Sequence, residues 1–166
     1  MPERTAYGSW RSPITTELLL KDSVSLAMPR WDGADLYWTE ARPDEAGRQV
    51  IVRRNAAAQI EDVTPSGFNA RTRVHEYGGG HYAVWDGTVW FTNFDDQRLY
   101  RQERDGEPGP ITPAADIRHA DLLIDPRRRL IFAVREDHTT GAPEAVNSLV
   151  AMDWKGERDE IGRAHV

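Results

Sequence analysis

Residues 71 to 80, Arg71-Thr72-Arg73-Val74-His75-Glu76-Tyr77-Gly78-Gly79-Gly80, concentrate more chemistry than any other stretch of the chain. Arg73, His75, Glu76 and Tyr77 form a candidate binding set. A carboxylate among them could hold an ammonium group by a charge-assisted hydrogen bond. The three glycines predict a loop whose backbone takes positive φ or approaches another segment closely. The same residues could instead cross-link neighbouring structural units, the glycines giving a strand room to start in a crowded centre. No nucleophile accompanies them. A serine elbow needs Gly-x-Ser-x-Gly on a strand-to-helix turn, which occurs nowhere here, and Ser9 in Tyr7-Gly8-Ser9-Trp10 lacks the second glycine and a preceding strand.

Metal and acid–base sets are no better supported. His75 and His81 are six positions apart, and His119 and His138 fall on separate turns, so no pair has the spacing of a zinc motif. Glu136 and Asp137 end a strand, where adjacent side chains point to opposite faces and cannot share one acid–base site. Asp95-Asp96 reads as a hairpin turn bonded to its own backbone, with too few oxygens nearby for calcium. No metal and no cofactor is expected.

The elements that must position these residues are strands. Three segments share one pattern of turn, apolar–aromatic strand, turn and strand. The first runs from Trp31-Asp32-Gly33 through Asp35–Glu40 and Arg48–Arg53 to Asp62-Val63-Thr64-Pro65. In the second, Trp85-Asp86-Gly87 precedes Thr88–Asn93, Gln97–Gln102 and Pro110-Ile111-Thr112-Pro113. The third has Asp125-Pro126, Arg129–Val134 and Asn147–Asp153. Tyr37, Trp90 and Ile131 hold equivalent places, a spacing of 53 and then 41 positions that suits one four-stranded propeller blade per unit. Segments Ser23–Met28, Gly80–Trp85 and His119–Ile124 supply each first strand. The expected fold is all-β, a partial propeller of about two and a half four-stranded blades. A short helix over Ile14–Lys21, capped near Ser12 and Pro13, precedes it.

After Trp154-Lys155-Gly156-Glu157 no fourth strand is expected for the third blade. Glu160-Ile161-Gly162-Arg163-Ala164-His165-Val166 continue no strand pattern. They back-translate as GAG ATC GGA AGA GCA CAC GTC, the start of a widely used short-read sequencing adapter. The expected organisation is therefore 1–22 as an N-terminal segment, 23–159 as the partial propeller and 160–166 as a non-native tail.

Composition narrows the classes. The 166 residues carry 21 basic and 27 acidic side chains, net charge −6, which disfavours a nucleic-acid surface. Arg127-Arg128-Arg129 after Asp125-Pro126 reads as a solvated turn. No apolar run approaches the length of a membrane helix, and Met1-Pro2-Glu3-Arg4 opens no secretory signal, so a cytoplasmic location is expected. There is no cysteine. Leu, Ile, Val and Phe make up only about a fifth of the chain, and the six Trp and five Tyr must supply much of the core.

Four ordered motifs carry a resemblance. They are Tyr7–Thr15, Arg71–Gly80, Phe91–Tyr100 and Val134-Arg135-Glu136-Asp137-His138. Together they resemble the N-terminal propeller of the prolyl oligopeptidase family, on its bacterial dipeptidyl aminopeptidase or acylaminoacyl-peptidase branch, over residues 5 to 155. The resemblance implies a two-domain serine peptidase in which a propeller of about seven or eight blades caps an α/β-hydrolase domain and filters short peptides. The expected partners are thus short peptides and a C-terminal hydrolase domain absent from this sequence. No triad residue can be carried over, and this portion alone is expected to be inactive. Arg73, His75, Glu76 and Tyr77 would line the channel or face the hydrolase. Two alternatives stay open, a non-enzymatic propeller that binds or scaffolds and a lactonase-type propeller with its own metal site.

Overall fold

The computed structural model describes residues 5–9, 12–16, 23–156 and the backbone of 159–162. Twelve strands form three four-stranded antiparallel meanders. The first blade comprises β1 (Ser25–Asp32), β2 (Asp35–Arg42), β3 (Arg48–Arg54) and β4 (Ile60–Asp62). The second holds β5 (Tyr82–Trp85), β6 (Thr88–Thr92), β7 (Leu99–Gln102) and β8 (Gly109–Pro110). The third holds β9 (Ile117–Asp125), β10 (Leu130–Asp137), β11 (Val146–Asp153) and β12 (Asp159–Gly162). The first strands stand side by side, β5 between β1 and β9, as in a propeller's centre. Among the described residues no helix is long and apolar enough to cross a membrane.

Two apolar layers hold the blades together. Tyr37, Ile51, Ala70, Tyr82, Val89 and Phe91 fill the seam between the first and second blades. Trp90, Leu99, Leu122, Ile131, Val150 and Met152 belong to the layer between the second and third. Val89, Trp90 and Phe91 are consecutive yet all at most 1% exposed, because alternate side chains leave opposite faces of β6 and both faces are covered. Tyr37, Trp90 and Ile131 are buried at matching positions, each paired with a first-strand residue seven places earlier: Arg30, Ala83 and Ile124.

The repeated Thr-Pro pairs perform one task twice. Ile51 N–H donates to Thr64 Oγ1 at 3.0 Å, and Leu99 N–H donates to Thr112 Oγ1 at 3.0 Å, so each hydroxyl finishes a ladder that the following proline cannot continue. The first and third blades also share a bulge in their first strand, at Met28 (φ 54°) and Asp121 (φ 56°). Both bulges grip the second blade. Tyr82 Oη donates to the Met28 carbonyl at 2.6 Å, and Asp121 exchanges bonds with Gly80, its N–H to the Gly80 carbonyl at 2.6 Å and the Gly80 N–H to its Oδ1 at 2.7 Å.

Three expectations need correction. The third blade does have a fourth strand. Asp159–Gly162 pairs antiparallel with β11, Ile161 opposite Val150, because a ladder bonds backbone to backbone and does not require an apolar side-chain pattern. Glu160, Ile161 and Gly162 thus extend the third sheet instead of standing apart from it. The two Trp-Asp-Gly turns are not equivalent either. Gly33 opens its two-residue turn, whereas Asp86 and Gly87 together form the second, both at positive φ. The helix over Ile14–Lys21 falls largely on residues outside the described ones, although Ser12 Oγ does accept the Ile14 N–H at 3.1 Å. His119 is a β9 residue, not a turn.

Candidate substrate-facing site

The link from the first blade to the second crosses the end of β6 and β7. Ala70 bridges Asn93, Arg71 N–H donates to the Thr92 carbonyl at 3.0 Å, and Arg73 N–H donates to Gln97 Oε1 at 2.8 Å. Buried Val74 anchors a turn closed by Glu76 N–H to the Arg73 carbonyl and Gly78 N–H to the Val74 carbonyl, both 2.9 Å. His75 (φ 54°) and Glu76 (φ 65°) are both left-handed, an arrangement a non-glycine residue adopts only when its surroundings impose it. The three glycines divide the expected labour. Gly78 takes φ +91°, while a Cβ on Gly79 would sit 2.9 Å from the Ala120 Cβ and one on Gly80 would sit 2.8 Å from Asp121 Oδ1.

The four residues singled out from sequence do not act as one set. The Arg73 guanidinium stacks on the Phe94 ring at 4.4 Å, with Arg71 over the same ring at 4.9 Å, so Arg73 braces the link. Tyr77 is 85% exposed and, with Arg71, His81 and Gln49, lines a groove of about 410 Å³ beside Ser25 and Met28 of β1. Glu76 and the His75 backbone N–H face the third blade, while the His75 ring lies 5.9 Å from that of Tyr77.

There they meet Arg118, which sequence reasoning left out, and Glu136, which it weighed only beside Asp137 and within the Val134–His138 motif. Arg118 Nη1 in β9 donates to Glu76 Oε1 at 2.7 Å, to the Arg73 carbonyl at 3.0 Å and to Glu136 Oε2 in β10 at 3.3 Å. Glu136, only 6% exposed, accepts the His75 N–H on Oε1 at 3.2 Å. His75 Nδ1 stands 3.7 Å from that oxygen, and His138 Nε2 stands 3.1 Å from Oε2 without hydrogen-bond alignment. Asp137 points away and accepts from Thr139. Glu136 was visible in sequence only as a charged residue closing an apolar strand. Arg118 lies 42 residues from Glu76 and carries no local signal, since only the meeting of two blades brings them together.

The Arg118 hydrogen bond holds the Glu76 carboxyl below its ordinary range, so it stays anionic, with most of its side chain (79%) in solvent. Burial opposes the Arg118 charge, but the bond to Glu76 and the fields of Glu76 and Glu136 more than offset it, raising that group further. An exposed, anchored carboxylate can receive an ammonium group. Among the described residues, no group of three His, Asp or Glu side chains is placed to hold a metal ion.

No protein-family model matches the chain, and no curated protein does. Solved structures do. Puromycin hydrolase aligns with a TM-score of 0.83 at 32% identity, over 97% of this chain and 28% of its own. A puromycin-hydrolyzing peptidase of Mycobacterium tuberculosis aligns at 0.84 and 30%, over 98% and 28%. A puromycin hydrolase mutant complexed with PGG aligns at 0.83 and 33%, over 97% and 28%. The chain therefore spans a little over a quarter of the length of these structures. With that agreement along nearly all of its own length, in fold and in sequence, the chain is similar to one portion of these peptidases and is consistent with a propeller fragment of a prolyl oligopeptidase-family peptidase.

Proposed function

We propose that this propeller portion gates substrate for a serine peptidase that cleaves short peptides, the hydrolysis being done by an α/β-hydrolase domain elsewhere in the protein. The Arg73–Tyr77 turn is the substrate-facing element, with Glu76 receiving a peptide's free α-ammonium group and Tyr77 lining the groove on the turn's other side. The observation that carries this reading is the Glu76 carboxylate itself. It is kept ionised by Arg118 through Oε1, is mostly in solvent, and sits on a backbone held in an uncommon conformation. The likeness to puromycin-hydrolysing peptidases supports the peptidase class.

The test is hydrolysis of aminoacyl and dipeptidyl reporter substrates by the complete protein, with and without a serine-directed reagent. Turnover abolished by the reagent is expected. A complete protein that folds, binds peptides and never hydrolyses them would make this a binding propeller instead.

A further inference from the structure

We propose that Arg118 and Glu136 are positioning residues for substrate selection, a clamp from the third blade that sets the direction in which the linking turn presents Glu76. The inference rests on the proposed role of Glu76. The turn already has its own closing bonds, from Glu76 N–H to the Arg73 carbonyl and from Gly78 N–H to the Val74 carbonyl. The clamp adds bonds to backbone groups inside the turn. Glu136 takes the His75 N–H, and Arg118 takes the Arg73 carbonyl. Both groups lie at the entrance to the left-handed pair His75 and Glu76, and the Arg118 bond to Glu76 Oε1 holds its far side, so the clamp sets the direction of the Glu76 side chain.

The chemistry of the pair fits a fixed post better than a surface tether. Both side chains are largely buried, at 15% and 8% exposure, whereas the Glu76 side chain they steer is 79% exposed. A buried carboxylate needs its partners, and here its hydrogen bonds come from one guanidinium and one backbone N–H of the turn, with His138 Nε2 3.1 Å and His75 Nδ1 3.7 Å away. All three Arg118 bonds leave from one nitrogen, Nη1, whose two N–H groups serve three acceptors, and the planar guanidinium holds that nitrogen in place. Because Arg118 and Glu136 stand opposite each other on neighbouring strands of one blade, they move with that blade. The turn belongs to the link entering the second blade. Peptide selectivity is therefore tied to the seam between the second and third blades.

The test uses the complete peptidase and the variants Arg118→Ala, Arg118→Lys, Glu136→Ala and Glu136→Gln, with two readouts. Limited trypsin digestion mapped by mass spectrometry compares cleavage after Arg73, inside the turn, with cleavage after Arg127 in the exposed β9–β10 hairpin. The two alanine variants should accelerate cleavage after Arg73 about tenfold and leave the hairpin unchanged, with Glu136→Gln intermediate because its amide oxygen still accepts the His75 N–H. Steady-state kinetics should show KM rising about tenfold for peptides with a free amino terminus, with kcat within about twofold and the N-acetylated peptide unaffected. Arg118→Lys should rescue part of that loss. Faster cleavage with no change in KM for either peptide supports the clamp and refutes the ammonium role of Glu76. Unchanged cleavage after Arg73 in folded Arg118→Lys and Glu136→Gln proteins, even if the alanine variants do not fold, overturns the clamp.

Discussion

The second and third blades have similar second strands and different surroundings. Thr88–Thr92 and Leu130–Val134 are both near-continuous apolar runs, the pattern of a strand covered on both faces. In the second blade that expectation is met, with Val89 and Phe91 in one layer and Trp90 in the other. In the third, Ile131 and Ala133 are buried against the second blade, while Phe132 on the opposite face is 39% exposed, with Leu149 at 56% and Leu123 at 64% beside it. The difference shows that a propeller strand's sequence encodes its neighbours as much as its own sheet. The blade covered on both sides should govern the stability of the whole.

The largest expected effect is at the shared centre. Trp90→Ala should cost about 3–5 kcal/mol by urea denaturation, enough to unfold a marginal domain, whereas Phe132→Ala should cost less than about 1 kcal/mol. Equal losses would erase the distinction between the blades.

Acid should attack the same two seams. His81 and His119 are buried, and burial lowers both to about 4, with the Arg135 charge adding to the effect at His119. A histidine lowered on folding contributes stability that is fully present above its unfolded value near 6.5 and is lost as pH falls from there towards about 4. The expected loss is on the order of 3 kcal/mol for each histidine across that window. His81→Gln combined with His119→Gln should flatten the pH dependence of the melting temperature between about 6.5 and 4, and an unchanged slope would count against buried neutral imidazoles.

A smaller effect is expected where the second blade begins. Gly79→Ala places a methyl group 2.9 Å from the Ala120 Cβ, so the seam must shift, at about 1–3 kcal/mol. Gly67, whose added Cβ would meet nothing within 4 Å, offers a comparison in which only its left-handed backbone is strained. The smallest change in stability, with the clearest change in behaviour, is on the open face. Phe132→Ser with Leu149→Thr should leave the melting temperature nearly unchanged and reduce self-association of the isolated chain, seen by light scattering.

Much of this architecture was legible because it repeats. Tyr37, Trp90 and Ile131 announced the second strands, and Thr64 and Thr112 announced the ends of two blades. The run of glycines announced both a left-handed turn and a close approach. What stayed hidden depends on backbone or on distance. β12 pairs with β11 along its backbone, and its residue types follow no apolar strand pattern. The one-residue offset between the Trp-Asp-Gly turns is a matter of register, which identical triplets conceal. Arg118 gave no local signal and Glu136 read as a charge ending a strand, and only the packing of one blade against another makes them partners of a turn some 40 to 60 residues earlier. The set Arg73, His75, Glu76 and Tyr77 was legible as a segment but not in its division of roles. Alternation along a turn sends neighbours to three different destinations: the Phe94 ring, the third blade and the groove beside β1.

The most direct measurement is calorimetric binding of one short peptide, with a free amino terminus and as its N-acetyl derivative, to the complete protein after treatment with a serine-directed reagent. Wild type should bind the free-amino form at least about tenfold more tightly, and Glu76→Gln should abolish that preference while binding the acetylated form as before. Equal affinity of wild type for the two peptides, or a preference that survives Glu76→Gln, would contradict the assignment of this turn to the substrate.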